Sequence, residues 1–191
     1  ILAPTVEVAN NAFAPARDMT QRDDELDALM HVQTHVKSIT HRESRAIARP
    51  AEEIFDIVAD VERYPEFVPL IREARVFNRV EDRYETEQSL ALGLLTHRFR
   101  TRTELIRPHG ITVVSGDRAF CRFDIRWQFA ALGEDNCHVD FTLDCESPSF
   151  FLIPVIQLLV LPMAASMVDA FEARAHALAG DAGRREAPRA P

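Results

Sequence analysis

A chain of 191 residues, 47% hydrophobic and 27% charged, is long enough to bury its own core and has an ordinary globular make-up. Thirty acidic against 22 basic residues leave a net charge of −8, which disfavours binding along a nucleic-acid backbone, a task for a basic face. The three cysteines, Cys121, Cys137 and Cys145, fit neither a disulfide framework nor a four-ligand zinc site and suit a reducing compartment.

Residues 1–37 are read as an N-terminal extension, disordered or loosely helical around "DDELDALM". They lack the basic segment and apolar stretch of a signal peptide, so a cytoplasmic location is expected. The chain opens on Ile1, and Met30, just ahead of the first patterned segment, is a candidate start. His31, His35 and His41 have no acidic partner at a fixed spacing, so no metal site is expected.

Residues 38–48 predict a strand with charges on both faces. Pro50 then stands where a first helical turn tolerates proline, and Ala51, Ile54, Phe55 and Val58 follow at helical spacing. The stretch "ADVERYPEFVPLIREARV", 59–76, sets Tyr64, Pro65, Phe67, Val68, Pro69 and Leu70 directly behind that helix. Its prolines are expected to end the helix and hold a rigid turn. Its apolar side chains either form one lip of a cavity mouth or cap the core.

The period then changes to two. Tyr84, Thr86, Gln88, Leu90 and Leu92 alternate with charged or small residues, as do His97, Phe99, Thr101, Thr103 and Leu105. A shorter strand, "GITVVSGD", follows. The best alternation sets Cys121, Phe123, Ile125, Trp127 and Phe129 on one face, and Cys137, Val139, Phe141, Leu143 and Cys145 repeat it. Such one-sided strands belong to an antiparallel sheet with one solvated face. A three-residue loop at Leu132–Glu134 would pair Arg122 with Asp144, Arg126 with Asp140 and, on the inside, Cys121 with Cys145.

From about Pro148 to Leu178 the pattern is helical again, ending on a stripe of Ala164, Met167, Val168, Phe171, Ala175 and Leu178. The front of this segment, "FFLIPVIQLLVLPM", is apolar all round yet shorter than a bilayer needs. It predicts a buried helix, or one with an exposed patch that has a purpose. Residues 180–191 read as a disordered tail. The order as a whole predicts an α+β fold, a curved antiparallel sheet of six to seven strands around a long C-terminal helix, over residues 38–179.

"ADVERYPEFVP" after a short helix, the strand pair carrying Trp127, Phe129, Val139, Phe141 and Leu143, and "MVDAFEARA" late in the last helix together resemble the coenzyme Q-binding START-like proteins. These sit in the polyketide cyclase and lipid-transport superfamily (SRPBCC) with its helix-grip fold. The resemblance implies a cavity protein binding a hydrophobic ligand, ubiquinone or a related isoprenoid, in support of respiration, with no covalent cofactor. It also implies two alternatives: a ribosome-association toxin and a cyclase or dehydratase. Peripheral contact with the inner membrane fits the greasy final helix.

On this reading the ligand is lined by Tyr64, Phe67, Val68 and Leu70 near the mouth, by Phe99, Thr101, Trp127, Phe129, Phe141 and Leu143 of the sheet, and by Leu152, Val155, Ile156, Leu159 and Met163 of the last helix. Polar inward residues (Gln88, His97, Thr101, Thr103) would orient a head group. The strand carboxylates all fall on the solvent face, and only His97 and Tyr84 face inward for proton transfer; catalysis is therefore not expected. Arg98, Arg100, Arg102, Arg122 and Arg126 share the outer face with six acids, a mixed solvated surface rather than a binding site for nucleic acid.

Overall fold

The structure, a computed structural model, describes residues 37–147 and 156–186. The expectations for residues 1–36, for Leu152 and Val155, and for the end of the tail lie outside them. Seven strands form one antiparallel sheet: β1 (Lys37–Ile47), β2 (Ile71–Val80), β3 (Arg83–Leu92), β4 (Leu95–Ile106), β5 (Gly110–Val114), β6 (Arg122–Ala131) and β7 (Cys137–Ser147). Their spatial order is β1-β7-β6-β5-β4-β3-β2. Helix α1 (Ala51–Ala59) and the short α2 (Tyr64–Phe67) connect β1 to β2, and a π-helical turn (Ile156–Val160) leads into α3 (Leu161–Glu186). This is the helix-grip arrangement that the order of elements predicts.

The alternation in the sequence becomes the two faces of the sheet. Phe123, Ile125, Trp127 and Phe129 of β6 and Val139, Phe141, Leu143 and Cys145 of β7 are buried, while Arg122, Arg126 and Gln128 are exposed. On α3, Met163, Ala164, Met167, Val168, Phe171 and Ala175 are buried against the sheet. Helix α1 starts at Pro50, whose carbonyl accepts the Ile54 N–H at 3.2 Å, and buries Ile54, Phe55 and Val58. Glu52 and Glu53 sit in its first turn, where the helix dipole favours negative charge. Arg45 of β1 ties sheet to helix by donating to Asp169 (2.6 Å) and Glu172 (3.0 Å) of α3.

Three details differ from expectation. Strands β6 and β7 pair Arg122 with Glu146, Asp124 with Asp144 and Trp127 with Phe141, two residues away from the expected register. The loop is five residues, Leu132–Asn136, closed by the Leu132 N–H on the Asn136 carbonyl at 2.8 Å. A slip of two keeps every side chain on its face, so hydrophobic patterning alone does not fix it. Cys121 consequently lies before β6 begins and is exposed, not buried opposite Cys145; that place belongs to Phe123.

The third detail concerns the proline-rich stretch. Pro65 opens α2 rather than only closing what precedes it, because a first turn does not use the missing N–H. Tyr64 is 6% exposed and meets Phe171 edge-on at 5.1 Å, and Val68 is buried. Phe67 packs on Phe171 at 5.2 Å. Leu70 adopts a left-handed φ of 67°, which turns the chain into β2. The segment caps the core; it is not an open lip.

Burial holds Cys145 near a pKa of about 12 and raises that of Cys137, and thiolate is the reactive form. Titration of the folded protein with a thiol reagent is expected to modify Cys121 alone. All three cysteines should react in denaturant, and two reactive thiols in the folded state would contradict this packing.

Candidate functional site

Between the inner face of the sheet and the first turns of α3 lies a cavity of about 30 Å³. Gln88, Phe99, Thr101 and Thr103 of β3 and β4 form one wall, and Val113, Phe123, Ile125 and Trp127 of β5 and β6 form another. Met163 and Met167 come down from α3, with Val61, Tyr64 and Ile71 at the side. Two water molecules would fill this volume, whereas drug-sized ligands occupy roughly 300–1,000 Å³. The described side chains therefore stand in a closed arrangement. The two methionines are the adaptable part of its lining, being unbranched and polarizable. The π-helical turn ahead of them is a local departure from regular helix of the kind often found at functional sites.

Within this apolar wall runs one polar ladder. Thr86 and Thr101 face each other across β3 and β4 with their hydroxyls 2.6 Å apart, and Gln88 donates to Thr86 Oγ1 at 3.1 Å. All three side chains are buried. No carboxylate, lysine or arginine lines the cavity among the described residues. A ligand here would meet hydrocarbon, sulfur and neutral hydrogen-bonding groups. That suits a long apolar tail with a small polar head, and it offers no ready acid or base for catalysis.

The chain's two tyrosines do structural work beside the cavity. Tyr64 donates its hydroxyl to the Val58 carbonyl, and Tyr84 donates to the Ala59 carbonyl at 2.9 Å. These are carbonyls of the last turn of α1, which have no partner within the helix. Burial raises the Tyr64 pKa well above the ordinary tyrosine value and pushes Tyr84 up to about 12. The nearby Thr103 hydroxyl opposes the rise at Tyr84 without making a hydrogen bond of standard geometry.

Phe99 and Phe123 of the cavity wall belong to a plug of packed rings. Phe120 meets Phe123 at 4.9 Å, Phe99 at 6.1 Å and His97 at 6.0 Å, and His97 stacks on Phe99 at 5.9 Å. The loop between β5 and β6 that carries Phe120 is pinned, since Ser147 donates to the Ala119 carbonyl at 2.9 Å and Asp117 accepts the Ala119 N–H at 3.0 Å. His97 is thus part of an aromatic plug.

Of the residues expected to line a ligand site, Tyr64, Phe99, Thr101, Trp127 and Met163 meet at this cavity. Phe129, Phe141, Leu143 and Leu159 are buried but do not line it. Phe129 packs edge-on against Phe55 of α1 at 5.8 Å, and Phe141 against Trp127 at 4.5 Å, so the β6–β7 side is filled core. Phe67, Val68 and Leu70 belong to the cap described above, and only the backbone of Ile156 is described. Val61, Ile71, Val113 and Met167 line the cavity without having been singled out for it. Met167 was visible as part of a helical stripe; Val61, Ile71 and Val113 carried no signal apart from being apolar. A larger groove of about 490 Å³ lies on the outer side, where β4 and β5 part beside Arg100, Arg102 and Ser115. It is open to solvent, and its arginines are engaged, Arg100 with Glu87 at 3.0 Å and Arg102 with Glu85 at 3.6 Å.

A family profile described as polyketide cyclase / dehydrase and lipid transport matches residues 47–172, strands, helices and cavity lining together. The chain belongs to this family. Among members similar in sequence, the ribosome association toxin RatA of Pseudomonas aeruginosa is 36% identical over 144 residues, covering 74% of this chain and 99% of the toxin. The mitochondrial coenzyme Q-binding protein COQ10 homolog B of Xenopus laevis is 27% identical over 156 residues, covering 80% of this chain and 63% of that protein. Fold likeness reaches further. The Zhui aromatase/cyclase from Streptomyces sp. R1128 superposes with a TM-score of 0.65 at 12% identity, over 73% of this chain and 94% of that one. A START superfamily protein from Mycobacterium smegmatis gives 0.62 at 22%, over 73% and 98%. The two relatives similar in sequence are named for ribosome association and coenzyme Q binding, and the likeness to the solved aromatase/cyclase is one of fold alone.

Both tyrosines keep their protons in the folded state above the ordinary value of about 10. Their folded pKa values are raised, so the stability they contribute is complete below about pH 10 and is lost as pH climbs through the folded values, about 12 for Tyr84. Denaturant melts are expected to lose stability progressively over this window. Phenolate absorbance should appear at a lower pH in the unfolded chain than in the folded one. Tyr84→Phe should cost about 1 kcal/mol at neutral pH, from the lost bond to Ala59, and should flatten the alkaline loss.

Proposed function

We propose that this chain is a cytoplasmic carrier that shelters the isoprenoid tail of a quinone, ubiquinone or a close relative, between its sheet and α3. The observation that carries the reading is the wall of the cavity, apolar and uncharged except for neutral polar groups, chiefly Gln88, Thr101 and Thr103, with Thr86 bonded behind Thr101 and Gln88. The ladder would receive the quinone carbonyls, and Trp127, Met163 and Met167 would pack along the tail. Burying such a tail is worth about 25 cal/mol per Å² of apolar surface, so affinity needs few polar contacts. To admit it, the π-helical turn and the two methionines move outward and enlarge the 30 Å³ space. The coenzyme Q-binding relative supports this assignment.

A second reading, association with the ribosome, is favoured by one specific observation, the likeness to the toxin over 99% of the toxin's length. The two are told apart by different measurements. Protein purified from a quinone-producing host should release an isoprenoid quinone on organic extraction. Val113→Phe, which fills the cavity, should cut that yield about tenfold, at a stability cost of roughly 1–3 kcal/mol. An extract free of isoprenoid lipid would sink the carrier reading. Sucrose gradients of cells overproducing the chain test the second: an unchanged ratio of joined ribosomes to free subunits removes it.

A further inference from the structure

The ends of the strands divide the molecule into two poles. β1, β4 and β6 begin, and β3, β5 and β7 end, at the same pole. The β3–β4 hairpin tip, the aromatic plug and the start of the terminal helix gather there, with the π-helical turn lying against β3. The hairpin tip is the anomaly. Leu92 pairs with Leu95 across a two-residue turn, Gly93–Leu94, with Gly93 at a φ of 61°. Such a turn needs glycine at its first position and asks nothing apolar of its second. Yet the second is Leu94, 105% exposed, beside Leu92 at 47%. Folding gives no reason for a leucine there. Across the same pole Leu158 of the π-helical turn is 52% exposed.

Charge separates this pole from its opposite. No acid occurs from Gln88 to Thr103, nor from Ile156 to Val168. Of the acids nearby, Glu73 is paired with Arg98 at 3.2 Å, Asp117 accepts a loop N–H, and Glu146 lies cross-strand from Arg122. Arg72 at the start of β2 and Arg118 in the plug loop are exposed, and neither is ion-paired among the described residues. The opposite pole also exposes apolar residues, Val80, Ile106 and Leu132. Each has acids close by in the chain, Glu81 and Asp82, Glu104, or Glu134 and Asp135, although Arg79, Arg83 and Arg107 also lie at this pole.

We propose that the β3–β4 hairpin tip, with Leu158 across the same pole, docks this pole onto an anionic lipid bilayer, Leu94 entering the acyl region while Arg72 and Arg118 meet the headgroups. A protruding, fully solvated leucine suits a fluid medium that closes round it, where a protein partner would have to supply a matching pit. Apolar burial and cation–headgroup attraction together bind peripheral proteins to such surfaces. The docked pole is the one that carries the ring cluster built on Phe99 and Phe123 of the cavity wall. The inference goes beyond the choice of ligand and holds for any lipid the cavity takes.

Flotation of the full chain with vesicles tests it. The protein is expected to float with phosphatidylcholine vesicles containing phosphatidylglycerol and less with phosphatidylcholine alone. Leu94→Asp should lower partitioning about tenfold or more, the scale of burying one leucine, with an unchanged melting temperature. Arg118→Glu should weaken binding to the anionic vesicles alone, and Leu132→Asp at the far pole should change nothing. A wild-type chain that stays at the bottom of the gradient overturns the proposal. So does an equal loss in Leu132→Asp, or a Leu94→Asp variant that floats as well as wild type. If Leu94→Asp instead dissolves a dimer without touching flotation, the tip is a protein interface and the proposal is wrong. Quenching of Trp127 fluorescence by a short-chain quinone in vesicle-free buffer should be the same in Leu94→Asp and wild type, so a failure of docking is read separately from a failure of quinone binding.

Discussion

A seven-stranded sheet that is apolar on one face only must be covered, and in this chain one long helix does most of the covering. Trp127 is where the two meet. It lies 4.5 Å from Phe141 in the next strand and 5.3 Å, edge-on, from Phe171 of α3, and it also lines the cavity. On the β6–β7 side of this contact α1 adds Phe55 to the cover and the space is filled. Toward β3 and β4, among the described residues, the cover is thinner, and the remaining gap is lined in part by threonines, a glutamine and methionines. The cavity is thus a consequence of uneven cover. Its small size follows from the same contact, since interiors close up around any space that flexible side chains can reach.

Closing a short helix onto a sheet leaves the last carbonyls of the helix facing inward, where an unpaired group is costly. The two tyrosines meet that demand from different directions, Tyr64 from the segment just after α1 and Tyr84 from β3. The Tyr84 bond also sets how closely β3 approaches α1, and hence one boundary of the cavity. The proline-rich stretch therefore serves position more than access. Pro65 starts the turn that brings Tyr64 back under Val58, and the left-handed Leu70 sends the chain into β2.

Much of this was legible in the sequence because burial follows period. Phe123, Ile125 and Trp127 could be assigned inward from alternation, and Met163 and Met167 from helical spacing. What was not legible depends on distance along the strand or on loops. The β6–β7 register slipped by two because a five-residue loop and a three-residue loop leave identical faces. Cys121 was drawn inside by the same slip. Phe129, Phe141 and Leu143 were indistinguishable from Phe99 by pattern. Only the placement of α1 over one half of the sheet, with Phe55 against Phe129, makes the first three core and leaves Phe99 at the cavity. Phe120 sits in a loop with no period at all, so the plug had no signature.

The outer face bears on any large partner, and its charges balance locally. Arg98 pairs with Glu73, Arg100 with Glu87, Arg102 with Glu85, Arg122 with Asp144 and Arg126 with Asp124. Each of these pairs leaves its arginine about half exposed or more, so each contributes under about 1 kcal/mol and restrains its arginine only lightly. The pairs are therefore no barrier to releasing an arginine toward a phosphate. The acids left behind are the barrier, because they remain within a few ångströms of the incoming phosphate and repel it. A polyanion approaching this face meets five arginines and at least as many carboxylates, and the net charge of −8 adds a repulsive field at longer range. Contact with ribosomal RNA through this surface would have to rest on shape or on a protein component, because the electrostatic term that usually dominates such binding is absent from it.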